Sequence, residues 1–168
     1  MGALRRYHED NRPYFVTAVV KDRRSVFADH HAARLLRDVI VSCRNRYRFL
    51  VLSYIVMPDH FHAILVPKPG DTISAVMRYI KGTFARRYNA ASDSGGAVWQ
   101  PRFYDAAIRS ERELMVRIRY VEENPVRAGL VKRPEQYPFS SAAQDWRSDL
   151  ARYLGTDEGQ AEGLAYRS

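Results

Sequence analysis

The sequence predicts an α+β protein of the ferredoxin-like class: a split β-α-β-β-α-β antiparallel sheet with one helix added at the C-terminal end. Three observations predict it. Apolar segments alternate between the near-continuous pattern of sheet strands and the three-four rhythm of helices, Pro58-Asp59 breaks two strand-like runs as a hairpin turn would, and 168 residues suffice for one core without disulfides.

The elements follow in order. Tyr14 to Val20 is rich in aromatic and β-branched residues and stops at the polar turn Lys21 to Arg24, which marks a strand. From Asp29 to Arg46, Leu35, Leu36, Val39, Ile40 and Cys43 recur on one helical face. Phe49 to Val56 is apolar almost throughout, as a strand inside a sheet is, and His60 to Val66 returns beside it. After Pro67 to Gly70, the set Ile73, Val76, Met77, Ile80 and Phe84 forms an amphipathic helix whose wet side is basic. Asn89 to Ala97 is small and polar and reads as a loop, followed by a strand at about Phe103 to Ile108. Ser110 and Glu113 have the spacing of a capping box, so a helix begins there, and Pro125 predicts its end near Asn124. A single domain over residues 1–150 is expected, with 151–168 as a poorly ordered tail.

Composition narrows the function. The chain carries 27 Lys and Arg against 19 Asp and Glu, a formal charge of +8, which suits a polyanionic partner. No apolar run approaches the roughly 18 residues of a membrane span, and the basic N-terminus lacks a signal-peptide core, so a cytoplasmic protein with no membrane partner is expected. Cys43, the one cysteine, excludes an internal disulfide and a cysteine-based zinc cluster.

The chemistry centres on His60 and His62. Side chains alternate along a strand, so both imidazoles leave one face while Phe61 leaves the other, and two neutral ring nitrogens can share a divalent cation. On the final helix, Leu114, Ile118 and Val121 make the apolar stripe while Arg117, Tyr120 and Asn124 lie together on another flank. If that helix covers the sheet face left bare by the first two, Tyr120 and Asn124 meet the histidines, and an amide oxygen is an acceptable third ligand for a hard cation. Arg5, Arg6, Arg12, Lys81, Arg86, Arg87, Arg102, Arg117 and Arg127 are candidate DNA-contacting cations, and Tyr7, Tyr88, Trp99 and Tyr104 candidate base-stacking rings.

Three motifs in this order resemble one family: Met57-Pro58-Asp59-His60-Phe61-His62, Trp99-Gln100-Pro101-Arg102-Phe103-Tyr104, and Tyr120-Val121-Glu122-Glu123-Asn124-Pro125-Val126-Arg127-Ala128-Gly129. Together they resemble the HUH-class tyrosine transposases, in particular the REP-associated tyrosine transposases, over most of the chain. The resemblance implies that His60, His62 and Asn124 hold Mg²⁺ or Mn²⁺ and that Tyr120 is the nucleophile. It further implies a 5′-phosphotyrosine intermediate and a single-stranded or hairpin DNA substrate taken from palindromic repeats. Asn124, where the insertion-sequence branch usually has Gln, favours the REP-associated branch. A monomer or a homodimer is expected. The competing readings are a replication-initiator or relaxase-like nickase of the same chemistry, and a non-catalytic RNA-binding module in which the histidines merely pack.

Overall fold

The computed structural model describes residues 12–156. Its first strand, β1 (Tyr14–Val19), leads through two single 3-10 turns into α1 (His30–Tyr47), whose first turn is capped by Asp29 accepting from the His31 N–H. Strands β2 (Leu50–Met57) and β3 (His60–Val66) form the expected hairpin on Pro58-Asp59, and α2 (Ile73–Ala91), β4 (Tyr104–Ala107), α3 (Glu111–Arg127) and α4 (Leu150–Leu154) complete the order. The sheet runs β2-β3-β1-β4 with each neighbouring pair antiparallel, which is the split order expected.

Alternation along the strands divides the core in two. Val16, Ala18, Phe61, Ala63, Leu65, Val51, Tyr54 and Val56 face α1 and α2, where Leu36, Val39, Ile40, Val76, Ile80 and Phe84 close over them. Phe15, Leu52, Ile55, Ile64 and Val66 leave the opposite face and meet Leu114, Ile118 and Val121 of α3. A β-bulge between Val51 and Ser53 reconciles the two sets, because the extra residue lets Val51 and Tyr54 share a face despite their odd spacing.

Three expectations need correction. The helix α2 runs to Ala91, through the start of the segment read as a loop, because Ala90 and Ala91 prolong it until Ser92 closes its end on the Tyr88 carbonyl. The helix α3 does not stop at Asn124: Pro125 is buried inside it, and the last turn persists to Arg127. Its start is as read, with Ser110 Oγ accepting from Glu113 N at 3.0 Å, although the Glu113 carboxylate reaches back to the N–H of Arg109. Order also continues beyond 150, where the expected tail begins: Leu150 and Tyr153 of α4 pack on the α3-side core, anchored by Asp149, which accepts from Val51 N and pairs with Arg44.

The outer edge of β2 is covered rather than free. Val56 donates to the Phe139 carbonyl, Ser141 donates to that of Tyr54, and the Tyr137 hydroxyl donates to Val56 O at 2.7 Å. A sheet edge so paired offers no template for another chain.

Candidate functional site

The two histidines leave β3 on the α3 side of the sheet. There the apolar layer gives way to polar groups at the end where β3 leaves the hairpin turn. Pairing register places Thr17 opposite His62 and Val19 opposite His60, so the β1 neighbour of His62 on this face is a hydroxyl.

Each ring is fixed through its Nδ1. The His60 Nδ1 lies 2.6 Å from Asp59 Oδ1, and the other oxygen of that carboxylate takes a hydrogen bond from Arg23 at 3.2 Å. The His62 Nδ1 lies 2.8 Å from Thr17 Oγ1. Metal-ligating histidines are held in this way, the second nitrogen fixing tautomer and ring orientation.

The Nε2 atoms then face each other at 3.1 Å. An ionised carboxylate only accepts, so His60 donates through Nδ1 and its Nε2 presents a lone pair. With Thr17 donating to Nδ1, His62 keeps its proton on Nε2 and gives it to His60. With Thr17 accepting, both Nε2 lone pairs converge, an arrangement that a cation between them would stabilise. Adjacent octahedral ligands at about 2.1 Å from Mg²⁺ stand about 3.0 Å apart, so the observed spacing fits such an ion.

Electrostatics keep His62 neutral. Burial, aided by the nearby His60 and Arg127, pushes the His62 imidazolium down to about 3, so His62 is neutral at physiological pH. Burial opposes the Asp59 charge, but hydrogen bonding to His60 and the charge of Arg23 hold its carboxyl below the ordinary range. Among the described residues no group of three or more His, Cys, Asp and Glu side chains converges. Asn124 is half-buried on the adjacent helix, with its carboxamide free of hydrogen bonds to the described residues.

The Tyr120 ring reaches His62. It meets His62 at 5.8 Å between centroids and Phe15 at 5.9 Å, both edge to face, and is 41% exposed, open enough for a substrate to reach. Phe15 is the floor of the site: His62 stacks on it at 5.3 Å, the Arg117 guanidinium lies 5.0 Å from its centroid, and Tyr104 approaches at 6.3 Å. Of the expected meeting of Tyr120 and Asn124 with the two histidines across the α3 face, the contact of Tyr120 with His62 is present within the chain.

The DNA-contacting candidates separate. Arg117 and Arg127 border the site, and Tyr104, at 57% exposed, is a ring open to stacking beside it. Arg86 and Arg87 are exposed on α2, across the sheet from the histidines. Lys81 is committed elsewhere, donating to the carbonyls of Gln100 and Arg102, with its ammonium pushed down by burial. Trp99 needs correction as a base-stacking ring: it is buried among Phe27, Phe61 and Phe84 and donates its indole N–H to Lys81 O. Tyr88 likewise stacks on Phe84. Arg102 remains exposed, held at φ 64° in the left-handed region that non-glycine residues rarely enter. Arg12 is half-buried, and Arg5, Arg6 and Tyr7 lie outside the described residues.

Sequence reasoning missed Thr17, Phe15 and the orienting role of Asp59. Only Asp59 carried a signal, its adjacency to His60; the other two depend on strand register.

Comparison with known proteins follows the same lines. The family model described as "Transposase IS200 like" matches residues 10–124. A REP-associated tyrosine transposase of Escherichia coli K12 is 30% identical over 155 residues, 92% of this chain and 88% of that protein. A Haemophilus influenzae protein provisionally given the same description is 25% identical, over 89% of this chain and 90% of its own. Among solved structures, a REP-associated tyrosine transposase bound to a REP hairpin superimposes with a TM-score of 0.69 at 30% identity, covering 89% of this chain and 93% of that one.

Proposed function

The chain belongs to the family of IS200-like transposases and groups with its REP-associated tyrosine transposases, and from that membership we propose that it cleaves and rejoins single-stranded DNA beside a hairpin. Tyr120 is the nucleophile, and His60, His62 and Asn124 hold a divalent cation, Mg²⁺ or Mn²⁺. The observation that carries this reading is the Tyr120 ring against His62, whose Nε2 in turn faces that of His60 at 3.1 Å. The relative bound to a REP hairpin supports the substrate class.

The phenolic oxygen attacks the scissile phosphorus. The bond to the 3′ oxygen breaks, that oxygen leaves as a 3′-hydroxyl once protonated, and the 5′-phosphate stays on Tyr120 as a diester. Because one phosphodiester replaces another, a later hydroxyl attack reverses the step and joins DNA without ATP. A bound divalent cation supplies Lewis-acid polarisation of the phosphate. The chain's own groups do the rest: Asp59 and Thr17 orient the imidazoles, Phe15 supports both His62 and Tyr120, and Arg117 brings positive charge to the phosphate's approach. Tyrosine and histidines come from one chain, so the reading requires no second copy.

The test is a hairpin oligonucleotide with a single-stranded flank, incubated with the protein and Mn²⁺. A denaturant-resistant adduct mapped by peptide mass to Tyr120 is expected, absent with chelator and absent in Tyr120→Phe. An adduct of normal yield on Tyr120→Phe would remove the nucleophile assignment, and metal-independent binding without any adduct would favour a non-catalytic module. Hairpin affinity should fall as salt rises from about 50 to about 200 mM; a flat response would remove the phosphate contacts.

A further inference from the structure

Arg127 follows Tyr120 by seven residues, so on an α-helix the two lie nearly in line, about two turns apart. Its guanidinium folds back along α3. The Cζ atom sits over the Tyr120 ring, 4.5 Å from the centroid; Nη2 donates to the Tyr120 carbonyl at 2.6 Å; and Nη1 lies 3.6 Å from Glu123 Oε2. All three contacts are within one helix, and two of them end on the same tyrosine.

Pro125 explains why this turn needs a brace. Proline has no N–H, so the Val121 carbonyl loses its partner four residues on, and the pyrrolidine ring crowds that carbonyl. The helical turn that begins at Tyr120 is thereby missing one of its backbone bonds. Arg127 spans the gap from the side, tying the turn after the proline to the backbone and ring of Tyr120.

We propose that Arg127 is a positioning residue that holds the Tyr120 side chain at its place beside His62, and that it is not an anchor for the DNA backbone. A cation over an aromatic face is directional enough to favour one ring orientation, and the hydrogen bond to the same residue's carbonyl fixes the cation in turn. The inference rests on the reading of Tyr120 as nucleophile.

The experiment compares the full-length protein with Arg127→Ala and Arg127→Lys. Hairpin affinity is measured in chelator from about 50 to about 200 mM salt, and the single-turnover rate of adduct formation is measured with Mn²⁺ at saturating hairpin. For Arg127→Ala the rate should fall by about 10- to 100-fold, the scale of a misplaced reacting group, with affinity within about twofold and an unchanged salt slope. Arg127→Lys, which restores a cation, should recover part of the rate. A salt slope reduced by about one, with normal rate once the DNA is saturating, would mark Arg127 as a phosphate contact and overturn the proposal. An unchanged rate would also overturn it.

A second measurement needs neither DNA nor metal. With 3-fluorotyrosine placed at position 120, the ¹⁹F resonance should shift and show motional averaging in Arg127→Ala; an unchanged resonance would overturn the positioning role. Failure of the nucleophile reading is seen separately, as an adduct that survives Tyr120→Phe.

Discussion

The two faces of the sheet are made by the same four strands and are opposite in character. Beneath α1 and α2 the face is closed, with Phe61 and Tyr54 fully buried, as are Ile80 and Phe84 of the covering α2. Beneath α3 it is apolar for only part of its length and then passes to Thr17, His60, His62 and the half-exposed Tyr120. The lesson lies in β3, where one residue step divides structure from chemistry: Phe61 packs into the closed layer while its neighbours on either side face the open one. Both faces carry a buried apolar core, but the α3 face leaves one end open to hold lone pairs and a reactive phenol that a closed core could not tolerate.

Mutations test that division most severely at Tyr120. Tyr120→Phe should lower adduct formation by about a thousandfold or more while leaving the melting temperature nearly unchanged, since the hydroxyl is not part of the core. A melting temperature that fell with activity would break the comparison. On the other face Phe61→Ala should cost about 3 to 5 kcal/mol in denaturant unfolding. Asp59→Asn and Thr17→Val probe the boundary. Each should weaken Mn²⁺ binding, read by calorimetry, by about 10- to 100-fold with little loss of stability, because they orient ligands instead of filling space.

A subtler contrast sets Tyr104 against Trp99. Tyr104→Ala should weaken single-strand binding by about 1 to 3 kcal/mol with the fold intact, whereas Trp99→Ala should show its effect as unfolding.

The smallest effect concerns Glu122, at the edge of the α3 side. Burial raises its carboxyl above the ordinary range despite a hydrogen bond from Ser141. The folded state therefore holds this proton more tightly than the unfolded chain does, and stability is lost as pH rises through the raised value. Glu122→Gln should accordingly melt higher than the parent near pH 7, the gap closing as pH falls toward the unfolded value of about 4.3. A gap that widened in acid would contradict the assignment.

The sheet order and the His60–His62 face were legible because both follow from periodicity, a local property of sequence. So was the start of α3, whose cap is written within four residues. Its end was not. Pro125 reads as a stop, yet burial on the helix's apolar side and the Arg127 contacts carry the last turn past it. Trp99 was misread for a similar reason: no periodic pattern surrounds it, and it is drawn inward by pairing with Val20, far away in sequence. Thr17 became part of the site through register alone, which no single strand encodes.

The strip that closes the β2 edge has a temporal meaning. Tyr54 and its edge partner Ser141 are 87 residues apart, so during synthesis the edge strand emerges long before its cover. At about 5 to 20 residues per second that leaves roughly 4 to 17 s in which a nascent chain carries an apolar, hydrogen-bond-hungry edge. Chaperone dependence, and loss of soluble yield when translation pauses between α3 and Ser141, would be the cellular trace of that delay.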